Sequence, residues 1–195
     1  MMTTAIQLRS FVAVPLPGGV KTELAAAAAA LARELPGVKW SKKPENFHVT
    51  MKFLGLVAVD RLEALGAALG EAVAEVPRFA LELHGFGAFP SARDAKVLFV
   101  KIVDEQHRLA ALAETVETVS ARFGLPREAR PFTGHVTVGR SKSKEGVDAR
   151  AALAPRADLP VGIAVADELH VYESQLGGEG STYFLRQRAR LDARA

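Results

Sequence analysis

Apolar and polar positions along this chain mark out most of its elements. Residues 7–14 ("QLRSFVAV") are an apolar-rich run stopped by "PLPGG", which predicts a first strand ended by breakers. Residues 21–34 are rich in alanine and are followed by Pro36 and Gly37, which predicts a helix. "VKW" and "FHVTMKFLG" return to strand patterning, and residues 59–76 predict a second amphipathic helix closed by Pro77. "FALELHGFGAF" and "KVLFVKIV" predict two strands joined by the turn "PSARDA". Residues 104–124 predict a third helix, with acidic residues at its start, where the macrodipole favours them, and Gly124 at its end. "FTGHVTVGR" predicts a further strand, and the segment after it a basic loop with one helical turn. "VGIAVADELHVYESQL", the turn "GGEG" and "STYFLRQRARL" predict a terminal hairpin.

The order strand, helix, strand recurs, and no short solenoid-type period is present. This predicts an α+β fold with mainly antiparallel pairing, residues 1–195 forming one domain of two similar lobes. The 195 residues are 49% hydrophobic and 24% charged, enough apolar material for a core without disulfides or metals. The absence of cysteine removes thiol nucleophiles, CxxC redox chemistry and cysteine-ligated zinc, and fits a reducing cytoplasm. The N-terminus lacks the basic and apolar regions of a signal peptide, and "LAAAAAALA" is too short to span a bilayer. A cytoplasmic monomer without membrane attachment is the expectation. A net charge of +3 permits an anionic partner without demanding one.

Two strands carry more than packing. "NFHVTMKFLG" (46–55) and "PFTGHVTVGR" (131–140) each hold His-Val-Thr, and the histidines are 135 − 48 = 87 residues apart. Alternation predicts Phe47, Val49, Met51 and Phe53 on one face of the first strand, with His48, Thr50 and Lys52 on the other. In the second, Phe132, Val136 and Val138 share the apolar face, and His135 and Thr137 the opposite one. A single His-x-Thr in a strand is usually structural. Two copies in the same context predict two imidazoles and two hydroxyls around one small site. An imidazole titrates near neutrality, so one can accept a proton while the other donates one, and the hydroxyls can hold an oxyanion. In-line displacement at phosphorus needs those parts and no cofactor. The set is a poor metal site, since hard cations want carboxylates and zinc wants a third strong ligand.

"HVTMKFLG" and "RPFTGHVTVGR" resemble the paired His-x-Thr signatures of the two-histidine (2H) phosphoesterases, and more closely the bacterial and archaeal RNA 2′,3′-cyclic phosphodiesterases, once called 2′-5′ RNA ligases. The likeness spans nearly the whole chain, taking in "LRSFVAVPLP", "FGAFPSARDAKVLFVKI" and "LHVYESQLGGEGSTYFLRQRARL". It implies a bilobal, pseudo-twofold architecture, with mainly antiparallel sheets lining a central groove and helices outside. It also implies metal-independent opening of a 2′,3′-cyclic phosphate at an RNA end to a 2′-phosphate, with weak reverse ligation. His48 would be the proton donor, His135 the proton acceptor, and Thr50 and Thr137 would bind phosphate oxygens. A pseudo-symmetric pair can serve either direction of attack.

Arg140 matches the arginine that the family carries just beyond its second motif, but strict alternation puts it on the face opposite His135. A bulge near Gly139 would turn it back. Arg130 is a second candidate for the phosphate, and Phe11 and Phe132 are candidates to stack on a base, against the commoner role of a strand phenylalanine as core. Gly134 stands where the family usually has proline, which frees the backbone before His135. His84, His107 and His170 read as structural, and "GGEGS" lacks the Lys-Ser/Thr of a phosphate loop. "SKSKEG" and Lys39, Lys42 and Lys43 are either solvated loops or guides for an RNA backbone. The competing readings are an RNA-end-binding module with little turnover, and a phosphodiesterase acting on a cyclic phosphate of a nucleotide or ADP-ribose derivative.

Overall fold

The structure is a computed structural model that describes residues 6–178 and 180–192. Residue 179, in the "GGEG" turn, and the ends of the 1–195 domain expected from the sequence lie outside the described residues. The strands are β1 (Gln7–Pro15), β2 (Val38–Trp40), β3 (His48–Ala58), β4 (Phe79–Phe89), β5 (Val97–Val103), β6 (His135–Ser141), β7 (Pro160–Ala166), β8 (Glu168–Gly177) and β9 (Gly180–Arg190). The helices are α1 (Gly18–Ala32), α2 (Val59–Val73), α3 (Arg108–Arg122) and the short α4 (Arg150–Leu153). The strands form a four-stranded sheet in the order β3-β1-β8-β9 and a five-stranded sheet in the order β2-β6-β5-β4-β7. Every pairing between these strands is antiparallel.

The order β3-β1-β8-β9 matches β6-β5-β4-β7, with β2 added beyond β6. Each sheet thus contributes one His-x-Thr strand, and β3 and β6 lie in contact where the sheets meet. The helix after β1 does not return to its own sheet: α1 packs on β7, β6 and β2. Its counterpart α3, after β5, packs on β3 and α2 of the opposite lobe. This exchange ties the lobes together through fully buried side chains such as Leu24 and Leu31 of α1, Leu109 and Leu112 of α3, and Val49 and Val136 of the motif strands. Burial of such side chains is worth about 1.5–3 kcal/mol each.

Three expectations shift. Residues 160–176 are two strands in different sheets, because the chain changes sheets at Asp167, whose carbonyl accepts the Leu191 N–H at 2.8 Å. The terminal hairpin is therefore β8–β9, while β7 pairs with β4. The third helix begins at Arg108, later than expected: the Asp104 carboxylate accepts the N–H groups of Leu109 (3.1 Å) and Ala110 (2.9 Å), capping the helix from outside it. The first helix begins earlier, at Gly18, directly after Pro17. Among the described residues, no helix is long and apolar enough to cross a membrane.

Candidate active site

The two motif histidines are held in the same way. His48 Nδ1 lies 2.7 Å from the Asn46 carbonyl, and His135 Nδ1 lies 2.7 Å from the Thr133 carbonyl. A carbonyl only accepts, so Nδ1 carries the hydrogen in both rings and Nε2 is the free nitrogen. His48 Nε2 lies 3.0 Å from Thr50 Oγ1, so the Thr50 hydroxyl donates to the neutral imidazole and accepts from the charged one. Thr50 and Thr137 are both half-buried and occupy matching places, paired with Ala13 and Phe99.

Both imidazoles are held below their ordinary pKa. His48 is pushed down from 6.5 to about 4, mainly by burial; the Asn46 carbonyl opposes this, and Lys21 and His135 add to it through their charge. His135 is also lowered, mainly by burial, with the Thr133 carbonyl opposing and Arg140 adding. The two rings are therefore in electrostatic reach of each other, and each has a cation of its own.

The aromatic surroundings differ. His48 stacks on Phe11 (centroids 4.8 Å) and meets Tyr183 edge-on (5.4 Å), and Phe11 stacks in turn on Tyr172 (5.3 Å). His135 meets Phe89 edge-on (5.1 Å) and Phe99 (5.2 Å). Phe11 is 3% exposed and packed between His48 and Tyr172, so it supports the imidazole and has no face left for a base. Phe132 is half-buried against the core in the loop before β6. Arg130 is exposed in the same loop.

Bulges decide the remaining positions. In β6, Phe99 pairs with Thr137 but Leu98 pairs with Gly139, leaving Val138 as the extra residue. The phase of the strand changes there, and Arg140, opposite Val97, returns to the face of His135 and Thr137. Lys39 of β2 lies directly across from it. The first motif has the same device: Ala13 pairs with Thr50 and Val12 with Lys52, leaving Met51 as the extra residue. Alternation from His48 therefore fails beyond Thr50. Lys52, expected in the groove, is 3% exposed and points away from it, and its ammonium donates to Glu117 (2.8 and 2.9 Å) and to the Pro126 carbonyl (2.7 Å). Phe53, expected in the core, is 67% exposed on the groove face beside Phe11 (6.1 Å).

Gly134 does not loosen His135. A Cβ there would lie 2.7 Å from Leu109 Cδ2 and 3.2 Å from Ile102 Cβ, and the Gly134 carbonyl accepts the Ile102 N–H at 3.0 Å. Packing takes over the restraint that a proline ring would supply. His170 is built into the site's support. It donates from Nε2 to Glu168 (2.5 Å) and accepts the Tyr172 hydroxyl at Nδ1 (2.7 Å). His107 sits in the turn before α3 with φ 54°, and His84 is half-buried in β4.

Sequence reasoning missed Lys21, Phe53, Tyr172 and Tyr183. Lys21 lies in the first turn of α1, where its ammonium donates to the Glu45 carbonyl (2.9 Å), and no local pattern links it to His48. The tyrosines alternate into the groove from β8 and β9, a signal present in the sequence but without a marker of what they face.

The model of a family described as LigT-like phosphoesterase matches residues 14–99 and 100–183, one repeat on each motif strand. An RNA 2′,3′-cyclic phosphodiesterase of Aeropyrum pernix is 31% identical over 142 residues, covering 71% of this chain and 78% of its own. The enzyme of the same name from Methanothermobacter thermautotrophicus is 26% identical over 179 residues, 91% of this chain and 96% of its own. Among solved structures, E. coli LigT complexed with 3′-AMP superposes with a TM-score of 0.77 at 22% identity, covering 95% of this chain and 99% of that one. A Thermus thermophilus protein gives 0.77 at 25% identity, over 96% of this chain and 100% of that one. With the family model covering both lobes and both histidine strands, the chain belongs to the LigT-like phosphoesterases.

Proposed function

We propose that this protein hydrolyses 2′,3′-cyclic phosphate ends of RNA to 2′-phosphates, without a metal, by two-histidine acid–base catalysis. The observation that carries this reading is the matched pinning of His48 and His135 through Nδ1, which leaves two Nε2 atoms for proton transfer on neighbouring strands whose imidazoles feel each other's charge. The names of the relatives supply the substrate class. His135 Nε2 takes a proton from water as the water oxygen bonds to phosphorus. The bond from phosphorus to the 3′ oxygen breaks, and His48 Nε2 gives that oxygen its proton. Thr50, Thr137 and Arg140 hold the nonbridging oxygens, and Lys21 adds positive charge on the His48 side. When the 5′ hydroxyl of a second RNA end takes the place of water, the same transfers apply. His135 Nε2 takes its proton as its oxygen bonds to phosphorus, the bond to the 3′ oxygen breaks and that oxygen takes the proton of His48, which gives slow 2′-5′ joining.

The low pKa of His48 shapes this cycle. With a value of about 4, roughly one molecule in 10³ holds the proton at pH 7 before substrate binds. The bound phosphate is an anion, and it favours the imidazolium form. Raising the pKa to 7 takes about 4 kcal/mol of interaction between phosphate and imidazolium. Substrate thus assembles the acid that its own leaving group needs.

The test is an EDTA-treated incubation with short RNA ending in a 2′,3′-cyclic phosphate, products resolved by phosphorus NMR, alongside His48→Ala and His135→Ala. The expected product is a 2′-phosphate, made by the unmutated protein alone. Full activity in His48→Ala would sink the mechanism, and a 3′-phosphate product would exchange the acid and base.

A further inference from the structure

Glu168, His170 and Tyr172 make a hydrogen-bonded chain on the groove face of β8 that the mechanism above does not use. Residues two apart share a face of a strand, so all three point the same way. Glu168 Oε1 accepts from His170 Nε2 at 2.5 Å, and His170 Nδ1 accepts the Tyr172 hydroxyl at 2.7 Å, with the imidazole 7% exposed. A buried polar chain fixes one arrangement when every member has its partner, and here each does. What this chain fixes is the Tyr172 ring. That ring lies 5.3 Å from Phe11 at an interplanar angle of 28°, and Phe11 lies 4.8 Å from His48 at 29°. The near-parallel stack leaves Phe11 buried and keeps one face of His48 covered.

The other lobe has no counterpart of this chain. Strand pairing sets Thr50, Ala13, His170 and Arg188 in a row, and the matching row beside His135 is Thr137, Phe99 and Gly87. Tyr172, across from Phe11, corresponds in the same way to Phe89, across from Val97. An imidazole and a phenol in one lobe thus stand where the other has a glycine and a plain phenyl ring. Both motif histidines are pinned alike through Nδ1, so the chain is a feature that tells them apart. We propose that Glu168, His170 and Tyr172 are positioning residues for His48, locking the Tyr172–Phe11 stack against that imidazole and so distinguishing it from His135 as the acid. This rests on the two-histidine reading. Covered on one face, an imidazolium is poorly hydrated and gives up its proton readily, which suits the group that protonates a leaving oxygen. The charges that reach His48 are Lys21 on α1 and His135 on β6, and the chain itself faces Arg188 on β9. Substituting Tyr172 or His170 leaves all of these in place, so any effect on His48 passes through the stack.

The experiment is an NMR pH titration of the imidazoles in the unmutated protein, Tyr172→Phe, His170→Leu and Glu168→Gln, with His48 and His135 assigned through their Ala variants. In Tyr172→Phe and His170→Leu the His48 midpoint is expected to rise from about 4 by about one pH unit, toward 6.5, with His135 unmoved. Glu168→Gln keeps an acceptor for His170 Nε2 and is expected to leave His48 where it was. An unmoved His48 midpoint in Tyr172→Phe and His170→Leu overturns the proposal. Equal movement of His48 and His135 also overturns it, since that marks a general loosening of the groove. Tyr172→Phe keeps the ring and removes only the hydroxyl, so the test stands even where His170→Leu does not fold. Turnover of adenosine 2′,3′-cyclic phosphate by the unmutated protein judges the phosphodiesterase reading separately: without it that reading falls, and the two midpoints still decide on the chain.

Discussion

Glu117→Ala is expected to destabilise the protein severely while leaving the chemistry of the groove intact. The reason is Lys52, whose ammonium is buried on the far side of β3 with three acceptor contacts, two from Glu117 and one from the Pro126 carbonyl. The side chains are 2% and 13% exposed, so water replaces little of what is lost. Removing one partner of such a pair leaves an uncompensated buried charge, at a cost of about 3–5 kcal/mol. Total stability for a protein of this kind is about 5–15 kcal/mol, so the loss is a large fraction. At about 2–4 °C per kcal/mol for a chain of this size, Tm falls by roughly 6–20 °C. Lys52→Met is expected to lose less, because the Glu117 carboxylate keeps the Glu128 N–H as a donor while the ammonium left by Glu117→Ala keeps only the Pro126 carbonyl. The double variant Lys52→Met/Glu117→Leu is expected to recover most of the loss, since apolar replacement of a buried ion pair is often near neutral. Guanidinium unfolding measures the three stabilities, and kcat/KM on a cyclic phosphate below each Tm measures the site. Unchanged stability in Lys52→Met with a hundredfold fall in kcat/KM would refute the reasoning, because it would place Lys52 in the groove, as unbroken alternation from His48 requires.

Four further outcomes follow from the surroundings of the histidines. Both imidazoles are lowered, so the bell of kcat/KM against pH is expected to centre below pH 6.5, and Lys21→Met is expected to move the His48 value upward in an NMR titration. His48 binds its proton more weakly folded (about 4) than unfolded (6.5), so its contribution to stability is complete above pH 6.5 and is lost as pH falls through 4; this amounts to about 3 kcal/mol, and is read as the difference between unmutated and His48→Ala unfolding curves across that window. Gly134→Pro, the residue usual in the family, is expected to cost about 1–3 kcal/mol by overpacking against Leu109 and Ile102, measured by denaturant midpoint; a gain in stability would show that these side chains can move aside.

Much of this protein could be read from local pattern. The period of apolar residues located the three long helices and the main strands, and the repeated His-Val-Thr marked the candidate site, since both signals live within a few residues of the chain. Alternation also carries the imidazole and the hydroxyl to a common face, because residues two apart in a strand point the same way. The pattern could not show where a strand takes an extra residue. Met51 and Val138 look like any apolar strand position, and their bulges arise only from the register against β1 and β5. Those two registers exchange Lys52 and Phe53 between groove and interior and bring Arg140 to His135. Likewise "VGIAVADELHVY" alternates without a break, while its halves belong to different sheets because β4 takes one and β1 the other. Lys21 comes near His48 because α1 packs against residues 44–46 just before β3, where its ammonium donates to the Glu45 carbonyl. The sequence by itself determined the elements and the two histidine strands of the candidate site. Which side chains surround those histidines was decided by strand register and by the exchange of helices between lobes, since both depend on contacts between residues far apart in the chain.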